Sequence, residues 1–255
     1  MKLGAQLYTV RDSTKTLEDF ALSLKKVADI GYKSVQVSGT CDFEADWLAE
    51  QLKINGLVCP VTHVKPPLRI AEETAKVAAD HKLFGCRVVG IGSAPGIWDE
   101  GFCYETDFRD RFLPAAQTLR DNGLILGYHN HQAEFVKAGG GNMLERMVSD
   151  FPADMLSFIL DTYWVQFAGG DPALWIKKLS GRVECIHLKD MSIVGKEQRM
   201  APIGGGNINF DAVLAACESA GTEYLLVEQD NCYDEDPFDC LAQSYEYVRA
   251  MGIEG

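Results

Sequence analysis

Four residues of metal-ligand type recur in the second half of the chain: His129, Asp161, His187 and Glu228, spaced 32, 26 and 41 residues apart. Each closes a short apolar run, Leu124-Ile125-Leu126-Gly127-Tyr128, Phe158-Ile159-Leu160, Cys185-Ile186 and Leu225-Leu226-Val227 respectively. Two imidazoles and two carboxylates suit a divalent first-row ion. Mn²⁺, Co²⁺, Fe²⁺ and Zn²⁺ match this mixture better than Mg²⁺, which prefers oxygen ligands. The paired carboxylates would neutralise the ion and leave a Lewis acid with room for substrate oxygens.

Taken singly, each residue has a plainer use. Asp161 could cap the helix that follows it. An isolated histidine is usually a satisfied surface or core residue. Glu228 is harder to explain away, because a carboxylate after Leu-Leu-Val is costly to bury without a partner. Placement favours chemistry: His63, His129, His131 and His187 all fall at strand ends, and of the five histidines only His81 lies in a helical stretch, where it is expected to be solvated. His131 lies two residues past His129, so alternation sends both rings to the same side. One ion is unlikely to hold both and still admit substrate, so His129 is assigned to metal and His131 to substrate or proton transfer. Lys189, two residues past His187, faces the same side. It could hold a substrate oxygen or an enediolate, or simply pair with Asp190 or Asp161.

The elements that must position these groups follow one rhythm. Apolar runs cover 3–10, 34–37, 57–64, 87–91, 124–128, 156–160, 183–188 and 224–227. Most are rich in Val, Ile and Leu without clean alternation, the pattern of parallel strands buried on both faces. Helical stretches at 17–28, 46–54, 68–84, 112–120, 172–179, 210–220 and 237–250 lie between or after them, commonly stopped by glycine. Eight strands alternating with helices predict an α/β fold, a (β/α)8 barrel forming a single domain over 1–255. A doubly wound sheet would favour a Gly-rich turn after its first strand, where this chain has Tyr8-Thr9-Val10-Arg11-Asp12. The same absence argues against a nicotinamide site.

In such barrels the chemistry gathers at the C-terminal strand ends. Gln6 and Tyr8, Gln36, and His63 end the first three strands and are expected to touch substrate. Glu134 is a substrate contact, base, histidine orienter or cap. Trp164 and Phe135 could wall a sugar ring or pack in the core. Gly204, Gly205 and Gly206 could cradle a phosphate through backbone N–H groups or form a mobile loop, and no arginine cluster accompanies them.

Composition narrows the partners. The net charge of −13 disfavours binding to a phosphate backbone or an anionic membrane. No apolar run reaches the length of a membrane span, and the start does not read as a signal peptide. Eight cysteines include no CxxC pair, so reduced thiols in a cytoplasmic protein are expected. Homo-oligomerisation is left open.

Several motifs then occur together. They are Tyr128-His129-Asn130-His131-Gln132-Ala133-Glu134-Phe135, Leu160-Asp161-Thr162-Tyr163-Trp164, His187-Leu188-Lys189-Asp190, Pro202-Ile203-Gly204-Gly205-Gly206-Asn207-Ile208-Asn209-Phe210 and Val227-Glu228-Gln229-Asp230. In this order the chain resembles the sugar phosphate isomerase/epimerase family with its xylose isomerase-like barrel. The resemblance implies a divalent metal held by strands five to eight, with Asp161, His187 and Glu228 at the family's ligand positions. His129 falls where many relatives carry glutamate, and Gln36 likewise replaces a glutamate. A mechanism built on two glutamates is therefore in doubt. The His-Asn-His pattern resembles the subset containing inosose dehydratase-type enzymes. The implied activity is isomerisation or epimerisation of a sugar or keto-sugar through an enediolate, with keto-sugar or inosose dehydration as the alternative. On the reading of the residues, the catalytic groups are His131, Glu228 and Lys189.

Overall fold

The computed structural model describes residues 1–138 and 141–253. Its strands are β1 (Lys2–Gln6), β2 (Ser34–Gln36), β3 (Val61–His63), β4 (Val88–Ile91), β5 (Ile125–His129), β6 (Leu156–Asp161), β7 (Cys185–Leu188), β8 (Asp190–Val194), β9 (Glu197–Ala201) and β10 (Tyr224–Val227). Eight of them make one parallel sheet in the order β2-β1-β10-β7-β6-β5-β4-β3. Parallel bridges from Ser34 to Val58 and from Val37 to Thr62 join its two ends, which closes the expected barrel. The outer helices are α1 (Leu17–Ile30), α2 (Ala45–Asn55), α3 (Arg69–Glu72), α4 (Thr74–Leu83), α5 (Asp110–Asp121), α6 (Met143–Asp150), α7 (Thr162–Phe167), α8 (Pro172–Lys178), α9 (Phe210–Ala220) and α10 (Pro237–Ala250).

Strand residues two apart share a face, and the two faces bury different things. One face packs under the helices, with Val89, Leu126, Phe158, Ile186 and Leu225 in the main core. The other face fills the barrel with a separate apolar plug of Val61, Val88, Ile125, Ile159, Cys185 and Leu226. Burial on both sides is why the strands read as unbroken apolar runs. Two residues beyond the plug the inward row changes character, to His63 on β3, Asp161 on β6, His187 on β7 and Glu228 just past β10.

Several boundaries depart from expectation. The first strand stops at Gln6 rather than reaching Val10. The Gln6 side chain accepts from Tyr8 N (3.0 Å) and turns the chain into a 3₁₀ helix over Leu7–Ser13. The helix expected over 68–84 is two helices, because Glu73 (φ −126°, ψ 34°) leaves the helical region. The antiparallel β8–β9 hairpin is an excursion from the βα rhythm, with Gly195 at φ +62° in its turn. Helices α6 and α7 lie outside the helical stretches expected from the sequence. The Asn142–Glu145 capping box starts α6, and Asp161 starts α7. No helix among the described residues is long and apolar enough to cross a membrane.

Candidate metal centre and substrate pocket

The C-terminal strand ends bring His129, Asp161, His187 and Glu228 together. All four are buried, and one ligand atom from each lies within 4.8 Å of the others. Second contacts fix which atoms those are. His129 Nδ1 donates to the Gly92 carbonyl (2.9 Å), which can only accept. Its Nε2 therefore carries the lone pair when the ring is neutral, and it points at Asp161 Oδ2, 3.2 Å away. His187 Nε2 donates to Gln36 Oε1 (2.7 Å), freeing Nδ1. That Nδ1 sits 2.8 Å from Glu228 Oε2 yet has no partner in hydrogen-bonding geometry. Donor atoms converging in this way, with both imidazoles oriented by a partner on the far side, are what a divalent ion requires. The donor set therefore fits the metal. Gly92 itself admits no side chain, since a Cβ there would lie 2.9 Å from His63 Nδ1.

Asp161 caps the following helix and also faces the cluster. Its Oδ1 accepts from Trp164 N (3.1 Å) as the cap of α7, while Oδ2 faces the centre. Its own backbone N–H donates to Asn130 Oδ1 (3.0 Å). Thr162 Oγ1 ties the next strand in place, donating to Lys189 O (2.8 Å) and accepting from Lys189 N (2.9 Å).

Lys189 enters the same cluster. Its Nζ lies 3.2 Å from Asp161 Oδ2, 3.0 Å from Glu228 Oε2 and 2.7 Å from Asp230 Oδ1, and it does not pair with Asp190. Burial disfavours its charge, but the three carboxylates outweigh burial and raise its pKa. Burial likewise opposes ionisation of Asp161 and Glu228, yet Lys189 and the histidines hold both well below the usual carboxylate range. His187 is pushed up to about 9, because Glu228 and Asp161 overcome the cost of burial. Burial together with Glu228 lifts Asp230 to about 6 against the pull of Lys189.

A cavity of about 420 Å³ opens over this cluster, lined by Tyr8, His63, His129, His131, Lys189, Glu228 and Asp230 among others. His131 presents a buried Nδ1 with no partner. Burial, then neighbouring His129, lowers its pKa to about 3, so it is neutral near pH 7. His63 is held neutral in the same way by burial and by His129 and His187, and its Nε2 is also unpartnered.

The other expected substrate contacts divide. Tyr8 lines the cavity, although from the 3₁₀ turn and not a strand end. Gln36 orients His187 instead, and Gln6 caps the first turn while its Nε2 stays unpartnered. Glu134 is fully buried, accepting from Tyr128 OH (2.7 Å) and His131 N (2.9 Å), so it shapes the turn that carries His131 and lines neither cavity wall nor mouth. Trp164 lies tilted against His131 with ring centroids 5.4 Å apart, whereas Phe135 packs edge-on against Trp175 in the outer core.

Two further expectations are corrected. The glycine run is no phosphate cradle: Gly204 N and Gly206 N both donate to Asp190 Oδ2 at 2.9 Å. The nest is filled from within, and a Cβ on Gly206 would meet Asp190 Oδ1 at 2.4 Å. His81 is buried, not solvated, with Nδ1 bonded to Val77 O (2.7 Å) and Nε2 to Thr62 Oγ1 (2.8 Å).

Sequence reasoning passed over Asp230, Asn130, Thr162 and Trp98. Asp230 carried a usable signal, since it follows Glu228 by two residues as Lys189 follows His187. Trp98 is exposed on the loop after β4, 5.8 Å from the His131 ring.

Known proteins resemble this chain in sequence and in fold. The chain is 25% identical to the inosose dehydratase of Geobacillus thermodenitrificans, over 90% of this chain and 89% of the relative. A sugar phosphate isomerase/epimerase structure from Parabacteroides distasonis superposes with TM-score 0.78 at 22% identity, covering 98% of this chain and 93% of the other. An L-ribulose 3-epimerase structure superposes with TM-score 0.72 at 16% identity, covering 98% and 94%. The model of the xylose isomerase-like TIM barrel family matches residues 24–251, and the chain belongs to that family.

Proposed function

We propose that the protein is a divalent-metal-dependent enzyme that removes a proton from the carbon beside a carbonyl of a sugar, keto-sugar or cyclitol. The observation that carries this reading is the convergence of His129 Nε2, Asp161 Oδ2, His187 Nδ1 and Glu228 Oε2 beneath an open cavity. When bound, a divalent ion would supply Lewis acidity to adjacent carbonyl and hydroxyl oxygens of the substrate.

The remaining work falls to the chain itself. His131 is neutral, faces the cavity and has a free nitrogen, so it can accept the C–H proton. Its low pKa makes it a weak base in the resting site, and charge building up on the substrate must be offset for transfer to proceed. Lys189, held cationic, offers that offset to the enediolate oxygens from the cavity wall. His63 is a second neutral imidazole on the same cavity, able to handle a proton at a different position. Return of the proton gives isomerisation or epimerisation. Loss of a β-hydroxyl gives dehydration. This second outcome is favoured by the inosose dehydratase relative, which aligns along nearly its whole length. It is favoured too by His129 standing on strand five, which leaves Glu228 as the only glutamate among the four converging residues.

Solvent exchange tests the proposal. Incubating the metal-loaded protein with a panel of keto-sugars and inososes in D₂O should label one substrate C–H, and His131→Ala should abolish that labelling while keeping the metal. Transfer of a labelled substrate proton without exchange would also agree. An active substrate turned over with no C–H cleavage in either experiment would rule the enediolate out.

A further inference from the structure

Lys189 makes an unusual demand on the metal centre. Its ammonium contacts Asp161 Oδ2 and Glu228 Oε2, the same two oxygens that converge with the histidine nitrogens. The side chain is 1% exposed, so water cannot compensate its charge. An ion at this centre and the lysine must therefore share two carboxylates, and two carboxylates balance the ion alone. The ligating histidines contribute nothing to the balance, because they bind metal in their neutral form.

A third carboxylate is within reach. Asp230 Oδ1 lies 2.7 Å from Lys189 Nζ, the shortest of the three contacts, and no other donor engages that oxygen. Asp230 is held from outside the centre: its backbone carbonyl accepts from Arg11 (2.8 Å), and Gln229 N donates to Thr9 Oγ1 (3.0 Å). The 3₁₀ turn after β1 thus fixes the loop that presents it. With Asp161, Glu228 and Asp230 ionised, one ammonium and one divalent ion are matched charge for charge.

Resting on the proposed metal-dependent function, we propose that Asp230 is a positioning residue for metal binding. It takes over the Lys189 ammonium so that Asp161 and Glu228 are free to ligate. Without it the lysine would compete with the ion for the same oxygens.

The test is a competition titration of Mn²⁺ and of Zn²⁺ at fixed pH, with metal-induced change in melting temperature as a second readout. Asp230→Asn should weaken metal binding about 10- to 100-fold, the range found when an outer partner of a metal site is lost. Asp230→Glu, which keeps the charge, should stay within about threefold of the unsubstituted protein on that same scale. Lys189→Met removes the competing cation and should bind the ion more tightly. The double variant Lys189→Met/Asp230→Asn should return towards the parent affinity, because both the ammonium and its counter-charge are gone. If Asp230→Asn does not fold, comparing Lys189→Met with the double variant still reads the same pairing. Parent-like affinity in Asp230→Asn, or a double variant as weak as Asp230→Asn, overturns the role of Asp230 and leaves the metal site standing. A parent protein that binds neither ion overturns the proposed function and this role with it.

Discussion

Two layers of the barrel interior, on the same strands and the same faces, behave in opposite ways. The lower layer of Val61, Val88, Ile125, Ile159, Cys185 and Leu226 is a closed apolar plug. One step of two residues further, roughly 7 Å along a strand, the inward side chains become His63, Asp161, His187 and Glu228. The plug is stabilised by burial of apolar surface and asks for nothing but volume. Asp161, His187 and Glu228 in the upper layer are buried too, but are viable only because they are paired, with Lys189 against Asp161, Glu228 and Asp230 and His187 against Glu228. The difference shows how one strand can serve two ends: the apolar half sets the position of the polar half, and it seals the site from below so that charges act on one another and on substrate with little screening.

Substitutions should separate the layers. In the upper layer, His131→Ala is expected to lower turnover roughly 10²- to 10⁴-fold, the usual share of a general base, with thermal stability little changed. Steady-state kinetics alongside a melting curve checks both halves of that statement. In the lower layer the pattern reverses. Leu226→Ala should cost about 2–5 kcal/mol by opening a cavity in the plug, read by denaturant unfolding, while metal stoichiometry is unchanged. Loss of the metal with no loss of stability would blur the two layers into one.

The buried His81 sharpens the contrast from outside the barrel mouth. Both its ring nitrogens are bonded, and burial lowers its pKa from 6.5 to about 4. Because the folded pKa is depressed, the unfolded chain takes up the proton first. Its contribution therefore weakens as pH falls from about 6.5 towards 4, by roughly 3 kcal/mol in all at 1.36 kcal/mol per unit. His81→Gln should flatten this part of the acid limb in a pH series of unfolding curves. An unchanged limb would show that His81 is not held neutral. The smallest effect is expected from Gln36→Leu, which leaves His187 Nε2 without its acceptor. Metal affinity should fall about 10- to 100-fold, at the weak end if the ring keeps its place by packing alone; calorimetric titration would show it, and parent-like affinity would mean that Gln36 does not set the tautomer.

Much of this was legible in the residues themselves. The βα rhythm gave the barrel, since strands buried on both faces are apolar throughout and glycines end the helices. The convergence of the four strand-end residues was legible because buried polar groups interrupt an apolar run at a predictable place. What stayed hidden depended on partners distant in sequence. Nothing local distinguishes Gln36 as the support of His187, 151 residues away. Nothing local shows that Asp190 fills the glycine nest, or that His81 finds Thr62 across from α4. The first strand was overrun because Leu7 and Val10 are as apolar as strand residues, and only the Gln6 side chain on Tyr8 N turns them into a helix. Asp230 is the exception, a local signal of period two that repeats the pair His187 and Lys189.

Purified protein, analysed for metal content by elemental analysis after equilibration with Mn²⁺ or Zn²⁺ and removal of unbound ion, should hold about one ion per chain, the single ion that four converging ligands accommodate. Asp161→Ala and Glu228→Ala should each reduce that occupancy sharply. Full occupancy in both variants would contradict it, placing any bound ion elsewhere in the molecule and leaving the buried cluster a charge network with no metal to hold.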